Sequence, residues 1–175
     1  MYEYDFCEYA VEKKKEGAYI AKIIAVAIAL AALIVIIFTV AVPLLGMSIG
    51  LVAVVLCGVL AWYLSRYTAI EYEYTQTVSS IDFAAVYSKQ YRKEKLTVDV
   101  KKGAQKIAPY NENELKVSRV YDFRSSSDVK NGYMIIFDDE GTKCAVLFDA
   151  TKRMINNLRH QVPSIVTLSD NLPEE

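Results

Sequence analysis

Catalysis in a chain of this kind would need a nucleophile held beside a base and an orienting group, or paired carboxylates in a shaped site. His160 is the sole histidine. It falls near the end of a predicted terminal helix, where an imidazole beside the last carbonyls is the ordinary explanation. Cys144 lies in an apolar stretch with no basic cluster to activate a thiolate, so a buried structural thiol is expected. Together with Cys7 and Cys57 it forms a scattered set without CxxC or metal-ligand spacing, read as reduced thiols facing a reducing compartment. Asp138, Asp139 and Glu140 crowd into one tight turn and lack the dispersed oxygen ligands of a calcium loop. Gly103, Gly132 and Gly141 are isolated, which leaves no phosphate-cradling loop. The expectation is a protein that is not an enzyme, with no catalytic residue, no cofactor and no metal.

One basic cluster stands out: Lys89, Arg92, Lys93 and Lys95, flanked by Tyr87 and Tyr91. Near an anionic leaflet each such cation contributes about 1 kcal/mol, so the four together would add about 4 kcal/mol if all reached the headgroups. Anionic-lipid contact therefore competes with a plain solvated turn. Which way the tip of this hairpin points is open at the level of sequence.

The elements that would carry these residues divide sharply. Composition looks ordinary, with 20 Lys and Arg against 21 Asp and Glu and 53% hydrophobic residues. The near-neutral balance excludes a nucleic-acid binder carried by bulk positive charge. The average conceals a block: from Ile23 to Ser65 no charged residue occurs. That is too long for one span of about 20 residues and fits two, near 19–42 and 45–67, broken at Pro43 and Gly46. The run is also too long, and lies too far in, for a removable signal peptide.

Lys13, Lys14, Lys15 and Lys22 precede the first span, none lies in the turn, and Arg66 closes the second. By the positive-inside bias both termini belong in the cytoplasm, in a multi-pass cell-membrane protein. Lys22, Trp62, Tyr63 and Tyr67 are expected anchors at the cytoplasmic interface. Small residues recur at helical spacing, Ala21, Ala25, Ala29 and Ala32 on the first span and Gly46, Gly50, Ala53, Cys57 and Ala61 on the second. They suit either packing within one hairpin or a homodimer through the spans. Mid-span Asp, Glu, His and Arg are absent, against a proton path, pore or transporter. Residues 1–18 form a cytoplasmic segment, either a tail or an interfacial helix carrying Phe6, Tyr9, Ala10 and Lys13 on adjoining faces.

From residue 68 to 175 alternation of period two takes over. Strands are predicted around Ile70–Tyr74, Ile81–Tyr87, Leu96–Val100, Lys106–Tyr110, Val117–Phe123, Tyr133–Asp138 and Thr142–Phe148, the last two central because they are apolar on both faces. Asp149 is expected to cap a helix over about 150–161, with Met154, Ile155, Leu158 and Val162 as its apolar stripe. The class is α+β: a transmembrane helical hairpin followed by an antiparallel β-sandwich or barrel of about seven strands, capped by a C-terminal helix. That count and order resemble a pleckstrin-homology-like (PH-like) domain.

The Glu-Tyr-Glu-Tyr-Thr strand (Glu71–Thr75) straight after two spans, and the closing Phe148-Asp149 and Met154–Val162 segment, resemble an uncharacterised family. It comprises small two-span membrane proteins of Gram-positive bacteria with a C-terminal PH-like domain. The resemblance implies a fold and a location, and no activity. Eukaryotic PH domains that bind inositides place Lys and Arg around the turn between their first two strands. Here that turn, Thr77-Val78-Ser79-Ser80, has none, so specific inositide binding is not expected. The expected function is a membrane-anchored cytoplasmic binding or scaffolding module, integral to the lipid bilayer, with a protein partner or anionic headgroups as ligand. The alternative is a subunit of a membrane enzyme or transporter complex.

Overall fold

Cys7, Tyr9 and Val11 project to one side of the N-terminal segment and Glu8, Ala10 and Glu12 to the other, and this alternation makes it a strand, β1 (Cys7–Glu12). The computed structural model of the chain describes residues 6–15, 17–65, 69–128, 131–169 and 172–173. Two units result: Lys14–Ala69, and a second built from both flanking pieces, Met1–Lys13 with Ile70–Glu175. The expectation of an interfacial helix or loose tail over residues 1–18 is thus corrected at Cys7–Glu12. A strand buries Cys7 and Val11 and sets the Tyr9 ring 6.2 Å from that of Tyr74, whereas a helix would split these side chains between faces.

The partner of β1 is β2 (Ile70–Gln76), antiparallel, with Cys7 opposite Gln76 and Glu12 opposite Glu71. β3 (Ser80–Tyr87) and β4 (Tyr91–Asp99) complete a four-stranded sheet in the order β1-β2-β3-β4. The second sheet takes β5 (Ala104–Pro109), β6 (Arg119–Asp122), β7 (Gly132–Asp139) and β8 (Thr142–Asp149) in the order β5-β7-β8-β6. The expected strands from Ile70 onward are all present, with β7 and β8 central. One pairing departs from the antiparallel expectation: β6 runs parallel to β8. The chain passes from β6 across β8 to start β7 on its far side, and a connection that skips one strand frees β6 from hairpin geometry. Glu140 and Gly141 form the two-residue β7–β8 turn with φ of 51° and 82°. Such left-handed pairs match the twist of the strands they join.

Between the sheets an aromatic cluster forms the centre of the core. Phe83 stacks on Phe123 at 5.3 Å and meets the edges of Tyr74 and Phe148 at 5.7 Å. The C-terminal helix (Lys152–Gln161) lays Met154, Ile155 and Leu158 against it, all at 0% exposure. Its cap is Thr151, whose hydroxyl accepts from the Met154 N–H at 3.3 Å. Asp149, the expected cap, lies two residues too early, still within β8.

The apolar unit contains α1 (Gly17–Ile36), a π-helical turn (Ile37–Ala41), α2 (Val42–Leu45) and α3 (Met47–Ser65). Pro43 does not end the first helix as expected. In the π turn Val42 donates its N–H to Ile37 O, and this wider winding accommodates a proline that brings no donor. The break falls at Gly46 alone, with φ of +90°, and at Gly50 an added Cβ would collide with a Val42 methyl. Two glycines therefore make the reversal close. Tyr19–Leu44 and Met47–Ser65, with mean hydropathies of 3.2 and 2.3, are each long and apolar enough to cross a membrane. On α3 Gly50 and Cys57 are buried and Ala53 is half-buried, with Gly50 facing Val42 of α2. On α1 Ala21, Ala25, Ala29 and Ala32 are exposed, whereas Leu30 and Ile34 are half-buried and Ile37 of the π turn is buried.

Candidate functional site

Register places the basic hairpin. Ile70 pairs with Tyr87, and the Lys13 N–H donates to Ile70 O at 2.9 Å. The β3–β4 turn over Ser88–Gln90 therefore lies at the end of the first sheet where the chain departs after Lys13 and returns at Ile70. The outer face of β1 and β2 there is acidic, with Glu12 directly opposite Glu71, an arrangement that is destabilising without a counter-charge. Lys89 supplies it, 3.5 Å from Glu12 and 3.2 Å from Glu71. Hydrogen bonding to Glu71 and the charges of both acids raise the Lys89 ammonium above the ordinary lysine range. Arg92 bonds Glu73 and, at 3.3 Å, Glu94. Its guanidinium holds the Glu73 carboxyl below the usual carboxylate range, while the hydrogen bond to Glu73 pushes Glu8 above it. Two of the four cations considered for lipid contact thus neutralise acids of the same sheet. Lys93 projects into solvent, and Lys95 turns its ammonium over the Tyr87 ring, 5.5 Å from the centroid.

Lys95 also borders a groove of about 390 Å³ between the first sheet and β6. Tyr72, Tyr87 and Lys95 form one wall and Val120, Tyr121 and Asp122 the other, over the buried Ala85 and Phe123. Basic side chains reach its tyrosines from outside: Lys13 donates to the Tyr72 hydroxyl at 3.1 Å, and Arg119 to that of Tyr121 at 3.1 Å. Burial works to raise the Asp122 carboxyl, but hydrogen bonds from Arg124, at 2.8 and 3.0 Å, prevail and hold it below its ordinary value. Arg124 is itself stacked on Tyr110, 4.5 Å from the ring centroid.

A second polar group lies deeper. Tyr74 donates to Phe123 O at 2.6 Å and accepts from the Asp149 N–H at 3.5 Å, and one Asp149 oxygen accepts from the Ser125 N–H at 3.1 Å. The other, Oδ1, is buried without a partner. Burial raises both the Asp149 carboxyl and, with the Asp149 charge added, the Tyr74 hydroxyl. These bonds tie β2, β8 and the irregular segment that follows β6 into one core.

The remaining candidates are dispersed. Cys144 is fully buried in β8, Cys7 and Cys57 are buried in separate units, and His160 is exposed on the last turn of the C-terminal helix. Asp138 accepts from the Gly141 N–H at 2.7 Å, closing the acidic turn. Among the described residues no three His, Cys, Asp or Glu group as metal ligands. In the apolar unit Tyr19 and Lys22 share a cleft of about 320 Å³ with Ala61, Leu64 and Ser65, which brings Lys22 to the helix end where Trp62 and Tyr63 are exposed. Tyr67 and Arg66 lie outside the described residues. Sequence reasoning missed the groove. Its signal was a tyrosine on each of three strands, but nothing local shows that β6 faces β2 and β3.

No curated protein and no solved structure matches the chain. Residues 3–168 match the family model described as Bacterial PH-like domain (DUF6106). That interval opens before β1 and closes beyond the C-terminal helix, so it takes in the apolar helices together with both sheets. The chain belongs to this family of bacterial PH-like proteins.

Proposed function

We propose that the protein is a membrane-anchored binding or scaffolding module, with two membrane spans and a PH-like domain on the cytoplasmic side with both termini. The observation that carries this reading is the pairing of β1 with β2. These strands flank the two apolar helices, so both flanks must lie on one side of any membrane the helices cross. An even number of spans meets that condition, and the lysines at 13–15 assign the side by the positive-inside bias. Lys22, Trp62 and Tyr63 are then interfacial anchors, and Lys93 is the cation of the basic hairpin best disposed to meet headgroups. No catalytic group is required by this reading.

Reporter fusions test it. Alkaline phosphatase joined after Glu175 is expected to be inactive and a fluorescent protein at the same place bright, whereas phosphatase inserted at Gly46 is expected to be active. An active phosphatase at the C-terminus contradicts the topology. Crosslinking in intact membranes then tests the scaffold: a stoichiometric protein partner supports it.

A further inference from the structure

We infer that the groove between the first sheet and β6 binds the phosphate-bearing headgroup of an anionic phospholipid. This deepens the membrane-anchored reading and rests on it. The groove's volume, about 390 Å³, falls in the range of small-molecule clefts, about 300–1,000 Å³. Its wall chemistry is that of an amphiphile site. Tyr72, Tyr87, Tyr121 and Val120 offer apolar surface, with Val120 43% exposed although it is a large hydrophobe on a strand.

Charge around the groove is predominantly positive. Lys95 lies on the lining, while Lys13 and Arg119 hold the hydroxyls of Tyr72 and Tyr121. The one acid of the lining, Asp122, is occupied by Arg124. A phosphodiester beside Lys95 and the two tyrosine hydroxyls would find charge-assisted donors on both walls. By contrast Lys89 and Arg92, on the outer face, are already matched by Glu12, Glu71 and Glu73.

Position selects the membrane as the source. Ile70, on the groove's border, is separated from the last turn of α3 only by residues 66–69, and Lys13 from the first turn of α1 only by residues 14–16. With so few residues between them, the groove is tethered to those helices, and a lipid of the leaflet they would enter is the phosphate source that this connectivity favours.

The experiment uses the full chain in an uncharged detergent, titrated with dihexanoyl-phosphatidylglycerol and followed by native mass spectrometry. Dihexanoyl-phosphatidylcholine and free glycerol 3-phosphate are run alongside. One phosphatidylglycerol is expected to bind about tenfold or more tighter than either comparison ligand. Val120→Trp, which fills the groove from an exposed position, and Lys95→Gln, which removes its lining cation, are each expected to weaken binding about tenfold. Lys101→Ala, at an exposed lysine in the β4–β5 turn away from the groove, is expected to leave it within about twofold. Equal binding of the choline lipid, or wild-type binding by both groove variants, overturns the inference. Glycerol 3-phosphate binding as tightly as the lipid overturns the lipid as occupant. Neither result bears on the reporter fusions, so failure here is distinct from failure of the topology.

Discussion

The two sheets of the PH-like domain are built on different terms. The second comes from one uninterrupted stretch, Ala104 to Asp149, and its central strands are buried through six of eight positions each. The first takes its edge strand from before the apolar helices and its other three from after them. Its last strand, β4, is exposed through Tyr91–Lys95, and its outer face is balanced by cross-strand ion pairs. One sheet rests on apolar packing between neighbours in sequence; the other requires the ends of a long insertion to meet. Loop closure grows more costly only slowly with length, and a helical hairpin returns the chain near its start, so the insertion is tolerable. The first sheet thereby becomes the part of the domain whose integrity depends on the two flanks being held together.

The contrast orders the expected effects of change. Largest is a loss in the shared core: Phe148→Ala on β8 should cost about 3–5 kcal/mol in chemical unfolding, since Phe148 meets Tyr74 and Phe83 within 6 Å. Val11→Ala on the inserted edge strand should cost about 2 kcal/mol, with hydrogen exchange accelerating first in β1 and β2. If β7 and β8 exchange equally early, the sheets are not separable in this way. Tyr74→Phe removes the hydroxyl that joins the sheets and should cost about 1–2 kcal/mol.

Asp149→Asn tests the same junction through pH. Burial raises the folded-state pKa of Asp149 above the unfolded value near 3.9, so the folded state holds the proton more tightly. The associated stability is complete below the unfolded pKa and is lost as pH rises through the folded one. Urea midpoints should therefore show the asparagine variant gaining on the parent from about pH 4 upward, and a constant difference contradicts the assignment. Smallest is Lys89→Ala: the ammonium is largely exposed to solvent, so losing it and leaving Glu12 opposite Glu71 should lower the urea midpoint by less than Tyr74→Phe does.

Much of this fold is readable from residues alone, and the exceptions share a cause. The strands from Ile70 on and the stripe of Met154, Ile155 and Leu158 announce themselves because their periods are local. The Cys7, Tyr9, Val11 alternation is just as regular, but its partner lies beyond the apolar helices, and the lysines beside it draw attention to the membrane instead. The parallel β6–β8 pair, the groove floored by Ala85 and Phe123, and the capture of Lys89 by Glu12 and Glu71 likewise depend on long-range register. Pro43 misleads for another reason, since a π turn that admits proline in a continuing helix has no sequence mark.

The central claim, that one domain is assembled from both flanks of the apolar helices, is tested by comparing two soluble chains. One joins residues 1–13 to 69–175 through a Gly-Ser linker of about four residues; the other is 69–175 alone. The joined chain is expected to unfold cooperatively with the amides of β2 protected from exchange, and the shorter chain to lose that protection and several kcal/mol, about the worth of burying Cys7 and Val11. Equal stability and equal β2 protection in the two chains would contradict it.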